Sequence, residues 1–287
     1  MTLRKGQHAT PQVIKRHDLH KASRLLGVFQ NPMGDFSEHL RVMKRKTDTS
    51  FAGYIKSPRL KTHDIRVFHN TMYAPSMRYS LPAVAVDEEE SGAVQAQIIP
   101  SIVQRLGFNS NLPTAIRFGP IEMGGLGLVD LRTEGGIEML KYFRHTIYSG
   151  TEVGDMLLMH VQTSQLESDQ PISLLTDPTI YIPYLTAPWV MSLRKFMSNL
   201  MIEIALTQTL TLSLKSATDE FIMPQAQLKG YSIQQQKDLN LARIFLQVTS
   251  LADLMDEQDG RLISQWGKKV EDLLISSHPS LGLVRNQ

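Results

Sequence analysis

Apolar side chains recur along much of this chain at helical steps. Phe36, Leu40, Met43, Phe51 and Tyr54 fall near a 3.6-residue period, with Arg41, Lys44, Arg45 and Lys46 on the other face. That pattern predicts a helix capped by Ser37 and ended by Ser57-Pro58. Thr62 is placed to cap a second helix, with Ile65, Phe68 and Met72 on one side, and Pro75 and Pro82 kink or end it. A third opens on Asp87-Glu88-Glu89-Glu90, a run that suits the positive end of a helix dipole better than a metal site. It continues through Val94, Ile98, Ile102 and Leu106, with a break expected at Pro100 and a stop at Gly107. Further helices are predicted over 133–149, 152–168, 188–206 and 232–249, the last opened by a Ser232-x-x-Gln235 capping box. Leu262, Trp266, Val270 and Leu274 form a short amphipathic stretch near the end.

Two segments leave the helical period. Ala22–Phe29 ends in β-favouring residues and meets the breakers Asn31-Pro32 and Gly34, so one strand or hairpin arm is expected there, after a weakly patterned basic stretch over 1–21. Glycines at 119, 124, 125 and 127 demand turns and close backbone approach. The fold class expected is mainly α, with a short β element near the N-terminus. Met156, Met159, Met191, Met197 and Met201 on helical faces are expected to fill gaps in the core, and Trp189 and Trp266 to be core residues.

Composition narrows the function classes. With 287 residues, 42% hydrophobic, the chain can bury one large core or two smaller ones. No apolar run reaches the roughly 18 residues of a spanning helix, and Met1–Gly6 lacks a secretory h-region. The absence of cysteine excludes disulfides, thiolate catalysis and cysteine-ligated zinc. An intracellular setting, cytoplasm or nucleus, is the expectation, with no membrane partner. Charge is lopsided: residues 1–70 hold fourteen Lys/Arg and five Asp/Glu, the remainder sixteen and twenty-three. A basic first quarter on an acidic body suits a polyanion partner.

Motifs with self-sufficient chemistry are missing. Gly125-Leu126-Gly127-Leu128-Val129-Asp130 lacks the third glycine of a dinucleotide loop, and no P-loop or Gly-x-Ser-x-Gly elbow occurs. Met255–Gly260 puts Met and Trp266 where a calcium loop needs carboxylates. His17 and His20 lack a third ligand nearby.

Three features do follow one another in order: Leu26-Gly27-Val28 after a basic segment, a pair of basic helices, and Gly119-Pro120 with Gly124-Gly125-Leu126-Gly127-Leu128-Val129-Asp130-Leu131 running into a helix. This order resembles the C-terminal portion of non-LTR-like retroelement reverse transcriptases, across most of residues 22–265. In that family a Leu-Gly-Val strand closes the palm near the primer grip, a helical thumb follows, and a Gly-Gly-Leu-Gly … Asp-Leu segment opens a helical connection region. The resemblance implies a basic tail and palm-end strand over 1–34, a thumb-like bundle over 35–107 and a connection-like helical domain over 108–287. Leu26, Gly27 and Val28 would be primer-grip-like. Gly124, Gly125, Leu126, Gly127 and Asp130 would be the post-thumb motif, continued by Ile137, Leu140 and Lys141. The stretches 238–243 and 246–248 resemble the family's C-terminal helices.

The family's palm holds two divalent metals on a Tyr/Phe-x-Asp-Asp turn and an upstream Asp. This sequence contains no adjacent Asp pair, so Mg²⁺ is expected only in a missing palm and no cofactor in the chain itself. The expectation is a truncated product that cannot polymerise alone, whose Leu25–Val28 strand lacks sheet partners and is frayed or presents an apolar edge. Arg41, Lys44, Arg45, Lys46, Lys56, Arg59, Lys61 and Arg66 supply the composition for gripping an RNA–DNA hybrid or duplex by its backbone. The missing fingers and palm would be a second partner. An all-helical interaction or scaffold protein is the second reading, and a metal-independent enzyme on an unrecognised site the third.

Overall fold

The computed structural model describes residues 2–3, 12–13, 18, 20–207 and 210–255. It is mainly α-helical, with two short antiparallel ribbons near the N-terminus: β1 (Thr2–Leu3) with β2 (Gln12–Val13), and β3 (Ser23–Leu25) with β4 (Val28–Gln30). The chain divides into two compact units between Glu138 and Met139.

The strand expected over Leu25–Val28 is a hairpin that supplies its own partner. Leu25 pairs with Val28, and Leu26 (φ 48°) and Gly27 (φ 92°) form the two-residue turn. Positive φ at both central positions matches the right-handed twist of the strands. Leucine in the left-handed region is uncommon, and Leu26 stands 84% exposed at the tip, beside exposed Leu25. Leu26-Gly27-Val28 is thus a turn leading into a strand, and the expectation of a strand without a partner is corrected: what the hairpin exposes is the apolar tip at Leu25 and Leu26.

In the first unit a helix runs from α1 (Ser37–Arg45) through a π-helical turn (Lys46–Phe51) into α2 (Ala52–Ile55). The next repeats the device: α3 (Thr62–Phe68), a π turn (His69–Tyr73) and α4 (Ala74–Arg78). Each buried stripe is spaced in fours, Met43, Thr47, Phe51, Ile55 in one and Ile65, His69, Tyr73, Met77, Leu81 in the other. Steps of four drift off the face of an ordinary α-helix, and the wider i→i+5 turn absorbs the extra residue. The expectation that Tyr54 and Met72 face the core fails by one residue for that reason: Ile55 and Tyr73 are buried, while Tyr54 and Met72 are exposed. Tyr54 stacks instead on Phe68, ring centroids 4.8 Å apart. The second π turn ends at Tyr73, two residues before Pro75, whose ring and missing N–H an unbroken α-helix would not accommodate.

The acidic run opens a helix as expected. Glu90 N–H donates to Asp87 Oδ1 (2.8 Å), and Asp87 N–H to Glu90 Oε2 (3.0 Å), a reciprocal cap on α5 (Glu88–Gln95). The break falls at Ala96-Gln97, not at Pro100, which sits in the first turn of α6 (Ile98–Arg105) where no partner for its nitrogen is required. Val94, Ile98, Ile102 and Leu106 are all buried. Gly107 (φ 90°) closes the helix, with Phe108 N–H reaching Val103 O at 3.1 Å. Ile98, Ile99, Ile102 and Val103 are essentially sealed from solvent, each stabilising the fold by about 1.5–3 kcal/mol.

The glycine-rich segment folds back on α7 (Thr114–Phe118). Leu126 N–H donates to Ile116 O (2.8 Å), Gly127 N–H to Gly119 O (2.9 Å) and Leu128 N–H to Arg117 O (3.1 Å). A Cβ on Gly125 would lie 2.2 Å from Gly119 O, so the crossing requires glycine. Leu126, Leu128, Val129 and Leu131 bury in the same core as α1–α6. The compact first unit therefore extends past 107, the boundary expected from the sequence, and takes in this segment.

The second unit contains the later part of α8 (Leu131–Tyr148), α9 (Glu152–Ser168), α10 (Pro188–Leu200), α11 (Ile222–Leu228) and α12 (Ile233–Leu246). Met139, Phe143, Val161, Leu175, Leu193 and Met197 form one core cluster, and Leu174, Ile182, Tyr184, Leu185 and Met223 another. The Ser232–Gln235 capping box is present. α10 and α12 stop short of the predicted ends because Met201 (φ 52°) and Gln247 (φ 58°) turn left-handed, a cap that glycine usually signals. Of the five methionines expected in the core only Met197 is buried. Met156 is 64% exposed and Met159 58%, because α9 faces inward through Val161, Ser164, Gln165 and Ser168. Trp189 is half-buried against Phe143 and edge-on to Tyr142. His17, Trp266 and the 262–274 stretch lie outside the described residues.

Candidate nucleic-acid interface

The basic surface of the first unit begins where the hairpin hands over to α1. Asp35 accepts from Ser37 N–H (2.9 Å) and Ser37 Oγ (3.0 Å), so Asp35 does the capping expected of Ser37. Phe29 N–H donates to His39 Nδ1 (3.2 Å), and Tyr79 Oη–H donates to Leu26 O (2.6 Å), fastening the hairpin to α1 and to the chain after α4.

All eight predicted contact residues, Arg41, Lys44, Arg45, Lys46, Lys56, Arg59, Lys61 and Arg66, are solvent-exposed. Their surroundings differ. Arg41 makes a two-pronged pair with Glu38 at 2.8 and 3.0 Å, which draws the Glu38 carboxyl below its usual range. Lys46 donates to Ser76 Oγ, and its ammonium lies 5.4 Å from the centre of the Phe51 ring. Lys46 is thereby turned toward α4. Lys44 and Arg45, with Arg41 at i, i+3 and i+4, share a face of α1. Lys56, Arg59 and Lys61 stand on or beside the loop between α2 and α3, which Arg105 of α6 holds from below by donating to the carbonyls of Ser57 and Leu60. Sequence reasoning misses Arg105, because a lone Arg at a helix end carries no signal that it binds a loop.

Leu26 projects as the exposed hairpin tip, Gly27 is half-buried and Val28 is buried. In the post-thumb motif, Gly124 (φ 82°) and Gly127 (φ 63°) turn the chain and Leu126 is core. Asp130 accepts from Thr133 Oγ1 (2.6 Å) at the start of α8. Two buried side chains that sequence reasoning also misses hold this segment. Gln95 donates to Val129 O (2.7 Å) and accepts from Leu131 N–H (3.1 Å); His69 Nε2 accepts from Val129 N–H (3.2 Å). His69 therefore carries its proton on Nδ1, 2.8 Å from Asn70 Oδ1. Burial holds the imidazoles of His69 and His39 below the usual histidine range.

Among the described residues, no three His, Asp or Glu side chains are placed to hold a metal ion, and no helix is long and apolar enough to cross a membrane. No family model, curated protein or solved structure matches this chain.

Proposed function

We propose that this chain is a reverse-transcriptase-derived protein whose first unit grips template–primer by its phosphate backbone, and that it does not polymerise by itself. The observation that carries the reading is the exposed set Lys44, Arg45, Lys56, Arg59, Lys61 and Arg66 on and around α1–α3. Backbone gripping needs cations on a rigid scaffold and little base-edge chemistry. The order of a hairpin at Leu25–Val28, a basic helical pair and a glycine-rich turn entering α8 supports the same origin. Polymerisation by this mechanism requires an Asp-Asp pair, which the sequence lacks.

The test is binding of a labelled RNA–DNA hybrid across a salt series, comparing the protein with a variant carrying Lys44→Glu, Arg45→Glu, Lys56→Glu and Arg59→Glu. Lys46 stays intact because it packs on Phe51. Affinity is expected to fall steeply with salt, and the slope in the variant to flatten by about 0.9 for each phosphate that is no longer neutralised. Equal affinity for both proteins, or binding insensitive to salt, rejects the reading. A second reading, a helical docking protein, is favoured by one feature: Val153, Met156 and Met159 lie exposed on one side of α9, the kind of adaptable apolar strip that binds other proteins.

A further inference from the structure

The last two turns of α8 carry Lys141, Arg144, His145 and Tyr148 at i, i+3, i+4 and i+7, so the four share one face. With Ser149 they line a shallow, open depression of about 460 Å³ in the second unit. Tyr148 is 82% exposed, and Arg144 and His145 are open to solvent. Basic residues at a helix C-terminus ordinarily answer the partial negative charge of its free carbonyls. That accounts for a cation in the final turn. It does not account for a phenol ring left in water beside them, since the ring gains nothing from the dipole and loses the benefit of burial.

A π-face and cations around one concavity are the elements of a surface that binds unpaired bases. We propose that this face is a single-stranded nucleic-acid site, in which one base stacks on Tyr148 while a flanking phosphate meets Arg144. His145 and Ser149 add hydrogen bonds to the sugar-phosphate. A duplex does not suit the site, because its bases keep their faces stacked on one another. The site goes beyond the basic surface of the first unit and stands without it: it lies on the other unit, uses other residues and prefers the opposite form of nucleic acid.

The test uses the full chain with Lys44, Arg45, Lys56 and Arg59 changed to Glu, which removes the grip of the first unit. Fluorescence anisotropy with a labelled oligo(dT) is measured at low salt beside the RNA–DNA hybrid. Oligo(dT) binding is expected to persist in this background. Adding Tyr148→Ala should weaken it about tenfold, or about 1.4 kcal/mol; Tyr148→Phe should retain it, and Arg144→Glu should weaken it and flatten its salt dependence. Far-UV circular dichroism confirms that these surface changes leave the helices formed. The proposal is overturned if oligo(dT) fails to bind, if it binds only where the first unit's cations are intact, or if Tyr148→Ala and Arg144→Glu leave it unchanged. Loss of hybrid binding alone in the four-Glu background bears only on the first unit.

Discussion

In the first unit the buried faces of α6 and of the two π-containing helices are lined by Ile, Phe, Tyr, Met and Val, which meet side chain to side chain. In the second unit much of the interior work falls to polar groups that close on backbone. The stretch 170–187 has no helix or strand of its own, and its carbonyls and N–H groups still need partners. Gln165 donates to Gln170 O (2.9 Å) and Ile172 O (3.0 Å) and accepts from Leu174 N–H (2.7 Å). Buried Arg194 donates to Leu174 O (2.9 Å) and Ile180 O (2.8 Å), and Tyr184 Oη–H to Ser168 O (2.7 Å). Arg243 of α12 donates to Leu166 O and Glu167 O and lies 3.3 Å from the carboxylate of Asp169, both side chains sealed from solvent. Asp169 also accepts from Met223 N–H (2.9 Å), which draws α11 into the network. A core of carbon that loses a side chain is left with a cavity it only partly fills, whereas a core of clamps that loses one partner is left with a buried charge.

The largest test of that contrast is Arg243→Ala. It strands the Asp169 carboxylate, and loss of one partner of a buried pair costs about 3–5 kcal/mol. Denaturation midpoints read peptide by peptide through pulse-labelled hydrogen exchange should drop in α9, α11 and α12 and stay put in α1–α6. A uniform drop would mean that the two units do not differ in the way described. Ile102→Ala is the matching change in the first unit, expected to cost about 2–5 kcal/mol through lost burial and cavity formation, with the opposite pattern of peptides affected.

These two sites also show what can be read from the sequence. Ile102 sits in an i, i+4 apolar ladder closed by a glycine, and both signals are local. Arg243 sits in a capped amphipathic stretch where nothing marks it as buried, because its partners are Leu166, Glu167 and Asp169, more than seventy residues away. The basic residues of the candidate interface are legible as composition, but the pairing of Arg41 with Glu38 and of Lys46 with Ser76 depends on rotamers and on a helix distant in sequence. Pro224, a breaker in sequence, lies in the first turn of α11, where proline is tolerated. The π turns escape notice for another reason: a 3.6-residue period assumes an unbroken α-helix, and each π turn displaces the pattern by one residue.

A smaller effect should sharpen the comparison through pH. Burial holds the Asp169 carboxyl at about 6 against an ordinary 3.8, with Arg243 only partly opposing it. The folded second unit therefore binds more protons than the unfolded chain between about pH 4 and 6, and its stability from this group is complete at low pH and is lost as pH rises through about 6. Asp253, held near 2 by Thr249 and Ser250 N–H and by Lys215, stays ionised across that window. In the first unit His39 and His69 titrate below their ordinary 6.5, so its stability is lost as pH falls through that range. Moving from pH 7 to pH 5 should raise midpoints in the second unit and lower them in the first; parallel shifts would show that these groups do not govern either one.

The π turns at 46–51 and 69–73 have a consequence for how these helices tolerate changes in length. A residue added inside an ordinary α-helix rotates everything beyond it by about 100°, carrying the buried stripe into water. A π turn confines that rotation to one loop of backbone and lets the rest of the helix keep its seat. Each of these helices thus reads as a shorter α-helix that has gained a residue without losing its core. Removing one residue from either turn should leave α2, or α4, in register with a fully α-helical segment before it.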